Sequence, residues 1–186
     1  MRCFLSILIC LFAQTGNSQA LCYDLEKEIP CGGTEFPRQE GDYAVKDQTE
    51  IFKQGELGTV QELDKPLLWM GCTLGKNKQD ICKNPKAMSL SAAKKRCAAI
   101  QLLNRQWRLP EVMELDALLV LNAKPPKINT QLFPDTVAAA YWTATDSVTF
   151  KSKKKAWFVH FSNASIFDAE IESKQYVRCV SDMPAE

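Results

Sequence analysis

The stretch WRLPEVMEL, Trp107 to Leu115, stands between a cysteine-bearing helical pattern and a strand-rich half that ends in YVRCV, Tyr176 to Val180. Its residue types describe a junction. Trp107 and Leu109 are apolar bodies that seat a turn in a core, and Arg108 can bond loop carbonyls or pair with an acid such as Glu114. Pro110 suits a first helical position, where its missing N–H costs nothing. Glu111 and Glu114 then fall in the first turn, where carboxylates meet the positive end of the helix dipole. Val112, Leu115, Leu118 and Leu119 form a buried stripe, so a helix is expected from Pro110 to the neighbourhood of Asn122, ahead of the breaker Pro125-Pro126.

Working outward, the segment Leu90 to Leu103 reads as a first helix. Leu90, Ala93, Cys97 and Ile100 share one face at three- and four-residue steps, with Ser91 as the expected cap. Before it, TVQEL and LLWMGC flank the turn Asp64-Lys65-Pro66 and read as a hairpin. Cys72 and Cys82 bracket a polar loop long enough for their sulfurs to meet across it. After Pro126, the runs AAAYWTAT, KAWFVHF, ASIFDAEI and QYVRCV are rich in β-branched and aromatic residues and are separated by turn formers. The fold class is therefore α+β: two helices packed on a short-stranded antiparallel sheet.

The N-terminus sets the compartment. Arg2 precedes the apolar run CFLSILICLF, and Ser18 and Ala20 suit a signal peptidase cut before Leu21, so residues 1–20 read as a secretory signal peptide. The run is too short for a membrane span. The expected organisation is this leader, an N-terminal extension over 21–58, one folded domain over 59–182 and a tail over 183–186. Of eight cysteines, Cys3 and Cys10 leave with the leader. The remaining six, Cys22, Cys31, Cys72, Cys82, Cys97 and Cys179, form an even set in an oxidising compartment, and sequence alone allows fifteen pairings. Cationic and anionic side chains are nearly balanced, with a net charge of +1. That balance argues against a nucleic-acid partner, which draws a basic excess.

Chemistry-bearing constellations are few. The single histidine, His160, lies in WFVHF, where Trp157, Val159 and Phe161 share one strand face and His160 the other. There is no HExxH, CxxC or nucleophile elbow, so no metal, cofactor or catalytic residue is assigned. Trp69, Trp142 and Trp157 read as core residues before they read as a sugar-stacking platform. Lys151, Lys153, Lys154 and Lys155 cluster in a turn between two strands, and Lys94, Lys95 and Arg96 cluster on the first helix. Such runs attract sulfated glycans or phosphate groups through charge, or simply keep strand edges solvated. Asn163-Ala164-Ser165 is a glycosylation sequon.

Taken together, Leu67-Leu68-Trp69 with Cys72, the helix holding Cys97, WRLPEVMEL, Ile128-Asn129-Thr130 with Phe133-Pro134, Tyr141-Trp142-Thr143, Ala156-Trp157 and YVRCV resemble a bacterial family. That family is typified by the C-terminal domain of the Legionella collagen-like adhesin, and the likeness covers roughly Val60 to Ser181. The resemblance implies a C-type lectin-like fold, with Cys97 paired to Cys179 and Cys72 to Cys82. Cys22 and Cys31 are expected to tie the extension locally. Lys65-Pro66 and Glu111 depart from the family's usual Thr-Gly and Thr, which touches turn and cap chemistry. The collagen-like repeats are absent. The string RLPxxxE also resembles a motif of formylglycine-generating enzymes and related sulfoxide synthases, which need reactive cysteines or a histidine cluster; here the cysteines read as structural. The Glu-Pro-Asn, Gln-Pro-Asp and Trp-Asn-Asp strings of calcium-dependent sugar binding do not occur.

The expectation is thus a non-enzymatic binding or adhesion module, exported to the periplasm, the outer surface or the medium. Its ligand would be a matrix component or sulfated glycan met by the hairpin lysines. The alternative is a structural envelope component or assembly subunit with an envelope protein as partner. Because the bulky Leu21 precedes Cys22 where a lipobox needs a small residue, the exported chain should begin at Leu21 without lipid. Intact-mass measurement checks this, and a diacylglycerol on Cys22 would sink it.

Overall fold

The computed structural model describes residues 48–75, 81–147 and 154–184. The leader, Cys22, Cys31, Lys151 and Lys153 lie outside the described residues. Among the described residues the chain is mixed α+β, with three short α-helices, a four-stranded antiparallel sheet and a separate three-stranded one. The single sheet expected from sequence is therefore two.

The first sheet has β1 (Phe52–Gln54), β2 (Thr59–Glu62), β3 (Leu67–Met70) and β7 (Val180–Asp182) in the order β1-β2-β3-β7. TVQEL and LLWMGC pair as a hairpin, with Val60 opposite Trp69. β1 falls within the segment read as an extension. Its Phe52 is buried, so the sheet begins before residue 59. Every residue of β3 is buried because the strand is covered on both sides. Leu67 and Trp69 join one apolar cluster with Val112, Leu115 and Phe133. Leu68 and Met70 join another with Leu90, Cys97 and Trp107. A strand packed on both faces reads as a continuous apolar run, which is what LLWM is.

The second sheet is a meander of β4 (Ala140–Ser147), β5 (Lys155–His160) and β6 (Ser165–Glu170). Trp157, Val159 and Phe161 are buried while Phe158 and His160 are only partly so, the alternation expected of a half-covered strand. β4 carries an irregularity between Trp142 and Asp146. QYVRCV, expected as one strand, instead crosses from one sheet to the other. Trp142 N–H donates to the Tyr176 carbonyl at 3.0 Å, Leu74 N–H to Val177 at 2.9 Å and Met70 N–H to Cys179 at 3.0 Å. Only at Val180 does the segment enter a ladder, beside Trp69 of β3.

Both longer helices are shorter than their apolar patterns. α2 (Leu90–Ala98) follows α1 (Gln48–Ile51) in chain order and stops well before Leu103. Ala99 closes it with φ/ψ of −89° and 0°, Ile100 N–H falls back to the Cys97 carbonyl at 3.0 Å, and the left-handed Leu103 and Asn104, with φ of 56° and 52°, lie beyond its end. The N-cap of α2 is Ser89, not Ser91, since the Ser89 carbonyl accepts the Ala93 N–H at 2.9 Å. α3 (Val112–Asp116) starts two residues after Pro110, with Glu111 extended as its N-cap. Glu111 N–H is taken by the Glu114 carboxylate at 2.7 Å and Val112 N–H by Thr145 Oγ1 at 2.9 Å. Beyond Asp116 the hydrogen bonds shorten to three-residue steps, and Val120 N–H turns away to the Lys127 carbonyl at 3.0 Å. Leu118 and Leu119 are buried from that turn rather than from a helix.

Two disulfides close the described framework, Cys72–Cys82 and Cys97–Cys179. The second joins α2 to the crossing segment over a sequence separation of 82, and both of its cysteines are fully buried. A loop of this size makes the bridge worth about 4 kcal/mol in a chain-entropy estimate. Replacing Cys97 and Cys179 together by Ala should shift the urea midpoint by a loss of that order. A near-unchanged midpoint would mean that packing alone holds α2 in place.

Candidate functional site

The junction motif is pinned from three directions. Trp107, Leu109 and Pro110 are buried. Arg108 N–H donates to the Val180 carbonyl at 2.8 Å, and Val180 N–H returns to Arg108 at 2.9 Å. Trp107 Nε1 donates to the Leu102 carbonyl at 3.1 Å, and Ala144 N–H of β4 donates to Pro110 at 2.7 Å. With its backbone fixed against β7 and β4, the Arg108 side chain has a defined direction. Its Nη1 and Nη2 donate to the two Glu114 oxygens at 2.8 and 2.9 Å. Nε and Nη2 donate to the Asp182 carboxylate at 2.9 and 2.6 Å. One planar guanidinium thus grips the start of α3 and the end of β7, a fork geometry that lysine does not offer. The Glu114 and Asp182 hydrogen bonds raise the Arg108 pKa above its ordinary value, and the Arg108 hydrogen bond holds Asp182 below the usual carboxylate range. Asp182 had no mark in the sequence; its role follows from the position of β7.

A second arginine sits in the core. Arg178 is fully buried, and its Nη1 donates to the Met70 and Gly71 carbonyls, each at 2.7 Å. Nη2 donates to Thr136 Oγ1 at 2.6 Å, and the guanidinium carbon stands 4.9 Å from the Phe133 ring centroid. Gly71 is obligatory there, because a Cβ would come within 2.5 Å of the Gly58 carbonyl oxygen. Burial lowers the Arg178 pKa to about 10, with Tyr141 acting in the opposite direction. The buried Tyr141 hydroxyl lies 2.6 Å from Thr73 Oγ1 and accepts the Val137 N–H at 2.9 Å. Burial raises its pKa. These are framework contacts, directed inward.

All four tryptophans are buried. Trp69 Nε1 donates to Glu62 at 2.8 Å and Trp142 Nε1 to the Met88 carbonyl at 2.8 Å. None offers a face for sugar stacking. His160, its pKa lowered by burial, has its Nδ1 2.9 Å from Ser162 Oγ. Among the described residues no group of three His, Cys, Asp or Glu is placed to hold a metal ion.

The basic segments are differently disposed. Lys154 is exposed just before β5. Lys155 is the first residue of β5 rather than part of a free turn, and its Nζ meets Asp168 Oδ1 at 3.0 Å. Asp168 also accepts from Ser147 Oγ at 2.6 Å. On α2, Lys94 and Lys95 are exposed, while Arg96 reaches back to the Gly75 carbonyl at 3.4 Å. Backbone bonds bring the two segments together: Ile171 N–H donates to Lys154 at 3.2 Å, and Leu90 N–H, opening α2, donates to Ile171 at 3.0 Å. Two open grooves lie elsewhere. The larger, of about 630 Å³, is lined by Lys53, Gln61, Leu68, Leu103, Arg105 and Met183 among others. No sequence pattern marks it, because its walls come from β1, β2, β3 and the bend after α2.

Two small antiparallel sheets stapled by two disulfides suit an oxidising compartment. The chain belongs to the Lcl C-terminal domain family, whose model matches residues 58–181. No curated protein sequence matches it. Among the described residues no helix is long and apolar enough to cross a membrane.

The Arg108 clamp predicts a pH dependence. Asp182 has a folded-state pKa below its ordinary 3.8, so its contribution is present above that value and is lost as pH falls through the lower, folded-state one. Asp182→Asn should therefore be less stable than wild type at neutral pH and equal to it in strong acid. Because the Asp182 side chain is 66 % exposed, solvent screening holds the neutral-pH difference to about 1 kcal/mol or less. Urea midpoints measured from neutral to acid pH check both parts.

Proposed function

We propose that this is a C-type lectin-like binding module of an exported protein, non-enzymatic, whose ligand is a polyanion of the sulfated-glycan class. Membership of the Lcl C-terminal domain family supports an adhesin-like role. The four described cysteines are bonded to one another, which suits an oxidising compartment and leaves none of them as the reactive thiol that a formylglycine-type reaction requires. The observation that carries the choice of ligand is the Lys154–Ile171–Leu90 backbone connection. It places Lys154, which follows Lys151 and Lys153 in sequence, beside the start of the helix bearing Lys94 and Lys95, so exposed lysines from two segments lie near one another in a chain whose charge is nearly balanced. A long flexible polyanion meets such a region through summed, salt-screened attraction.

The test is retention on immobilised heparin. Lys151, Lys153, Lys154 and Lys155 changed together to Ser should abolish retention at low salt, with the near-ultraviolet dichroism unchanged. Since Lys155 is tied to Asp168, the triple variant that spares it should lose most of the binding as well. Wild-type binding should fall as the Debye length shortens from about 10 Å at 0.1 M salt to about 3 Å at 1 M. Co-elution of the quadruple variant with wild type would overturn the hairpin assignment. A wild type that does not bind would favour a structural envelope component, recovered by crosslinking to an envelope protein.

A further inference from the structure

We propose that the Cys72–Cys82 disulfide is a thiol-exchange site, at which a small anionic thiol forms a mixed disulfide with Cys82. The two described bridges differ in access. Cys97 and Cys179 are both fully buried, and Cys72 is 6 % exposed, whereas Cys82 is exposed. Thiol–disulfide exchange requires a thiolate to approach one sulfur in line with the bond to the other, so access decides which sulfur is attacked. Of the two residues it is Cys82, not Cys72, that reaches solvent.

The approach is shaped as well as open. A groove of about 280 Å³ includes Cys82 in its wall, with Leu57, Met70, Ile81 and Leu102 as apolar lining and Lys83 as its cation. That volume suits a small molecule, and Lys83 favours a thiol that carries carboxylates. In the reaction the incoming thiol releases its proton to solvent and its sulfur bonds to Cys82 Sγ. The Cys82–Cys72 bond breaks, its electron pair goes to Cys72 Sγ, and Cys72 takes a proton from solvent. No other oxidant or reductant is consumed.

Opening this bridge need not unfold the domain. The neck of the 72–82 loop is closed independently, by Gly75 N–H to the Ile81 carbonyl at 2.7 Å and Lys86 N–H to Leu74 at 3.3 Å. Leu74 is itself fastened to the crossing segment through its N–H and the Val177 carbonyl at 2.9 Å. The fold-spanning bridge to α2 is a separate one.

The experiment incubates the oxidised full chain with graded glutathione, quenches with acid, alkylates and maps peptides. The expected product carries glutathione on Cys82, an alkylated Cys72 and an intact Cys97–Cys179 bridge, with native near-ultraviolet dichroism. A glutathione adduct on Cys72, simultaneous opening of both bridges, or no adduct below the concentration that opens Cys97–Cys179 would each overturn the proposal. Lys83→Glu should slow adduct formation with glutathione several-fold and accelerate it with the cationic thiol cysteamine. Equal rates in wild type and variant would overturn the part given to Lys83.

Discussion

A guanidinium buried away from the surface holds this fold together. Arg178 is buried with no carboxylate in ion-pair range among the described residues, and its charge is balanced by two carbonyl oxygens, a threonine hydroxyl and an aromatic face. Burying an unpaired ion is costly unless its donors are met, and here only Nε is left without a hydrogen-bond partner. The geometry that meets them is demanding. The end of β3 must offer the Met70 and Gly71 carbonyls on one side while the 133–136 turn offers Phe133 and Thr136 on the other. Fixing Arg178 therefore fixes where β3 stops and where the turn before β4 sits. Its neighbour Cys179 carries that constraint to α2 through the buried bridge, and Val180 carries it into the first sheet.

The same constraint explains why the crossing segment is not a strand. Tyr176, Val177 and Cys179 each accept one N–H, from Trp142, Leu74 and Met70, and these donors lie on different elements. A segment that serves several elements in turn cannot keep a ladder with any one of them. The result is a strap across the two sheets whose side chains, Val177 to Ser181, are all buried. The two apolar clusters it borders share β3 between them, so the strap and β3 together form the seam of the domain.

The parts of this arrangement that were legible in the sequence are those in which side-chain pattern and backbone partner are local. The β2–β3 hairpin, the meander over β4 to β6 and the buried faces of Trp157, Val159 and Phe161 follow from alternation and turn residues. The helix ends were not legible, because they are set by distant groups: Thr145 at the start of α3, Lys127 past its end. Arg178 was not legible either. Nothing in YVRCV marks it, since its partners are mostly main-chain carbonyls, which leave no signature in residue identity. Of the candidate site, the partnership of Arg108 with Glu114 was visible as a spacing of six residues, whereas Asp182 was not, because its closeness to Arg108 depends on the path of the strap.

The two motif arginines also narrow where recognition can happen. Arg108 is occupied by two carboxylates that hold its charge in place, and Arg178 is sealed in the core, so neither is free to meet a ligand from solution. The tryptophans, buried as they are, offer no stacking surface. Solvent meets lysines instead, among them Lys94 and Lys95 on α2, Lys154 before β5 and Lys83 beside the exposed Cys82. Lysines on a solvated surface bind through charge with little geometric demand, which favours a repetitive polyanion over a shaped small ligand at the hairpin and α2. At Cys82 the demand is of another kind, because a covalent exchange selects by access to one sulfur atom. At these positions the division of labour follows from residue type: Arg108 and Arg178, with their rigid forks, fix the frame, while Lys83, Lys94, Lys95 and Lys154 stand exposed on flexible stems.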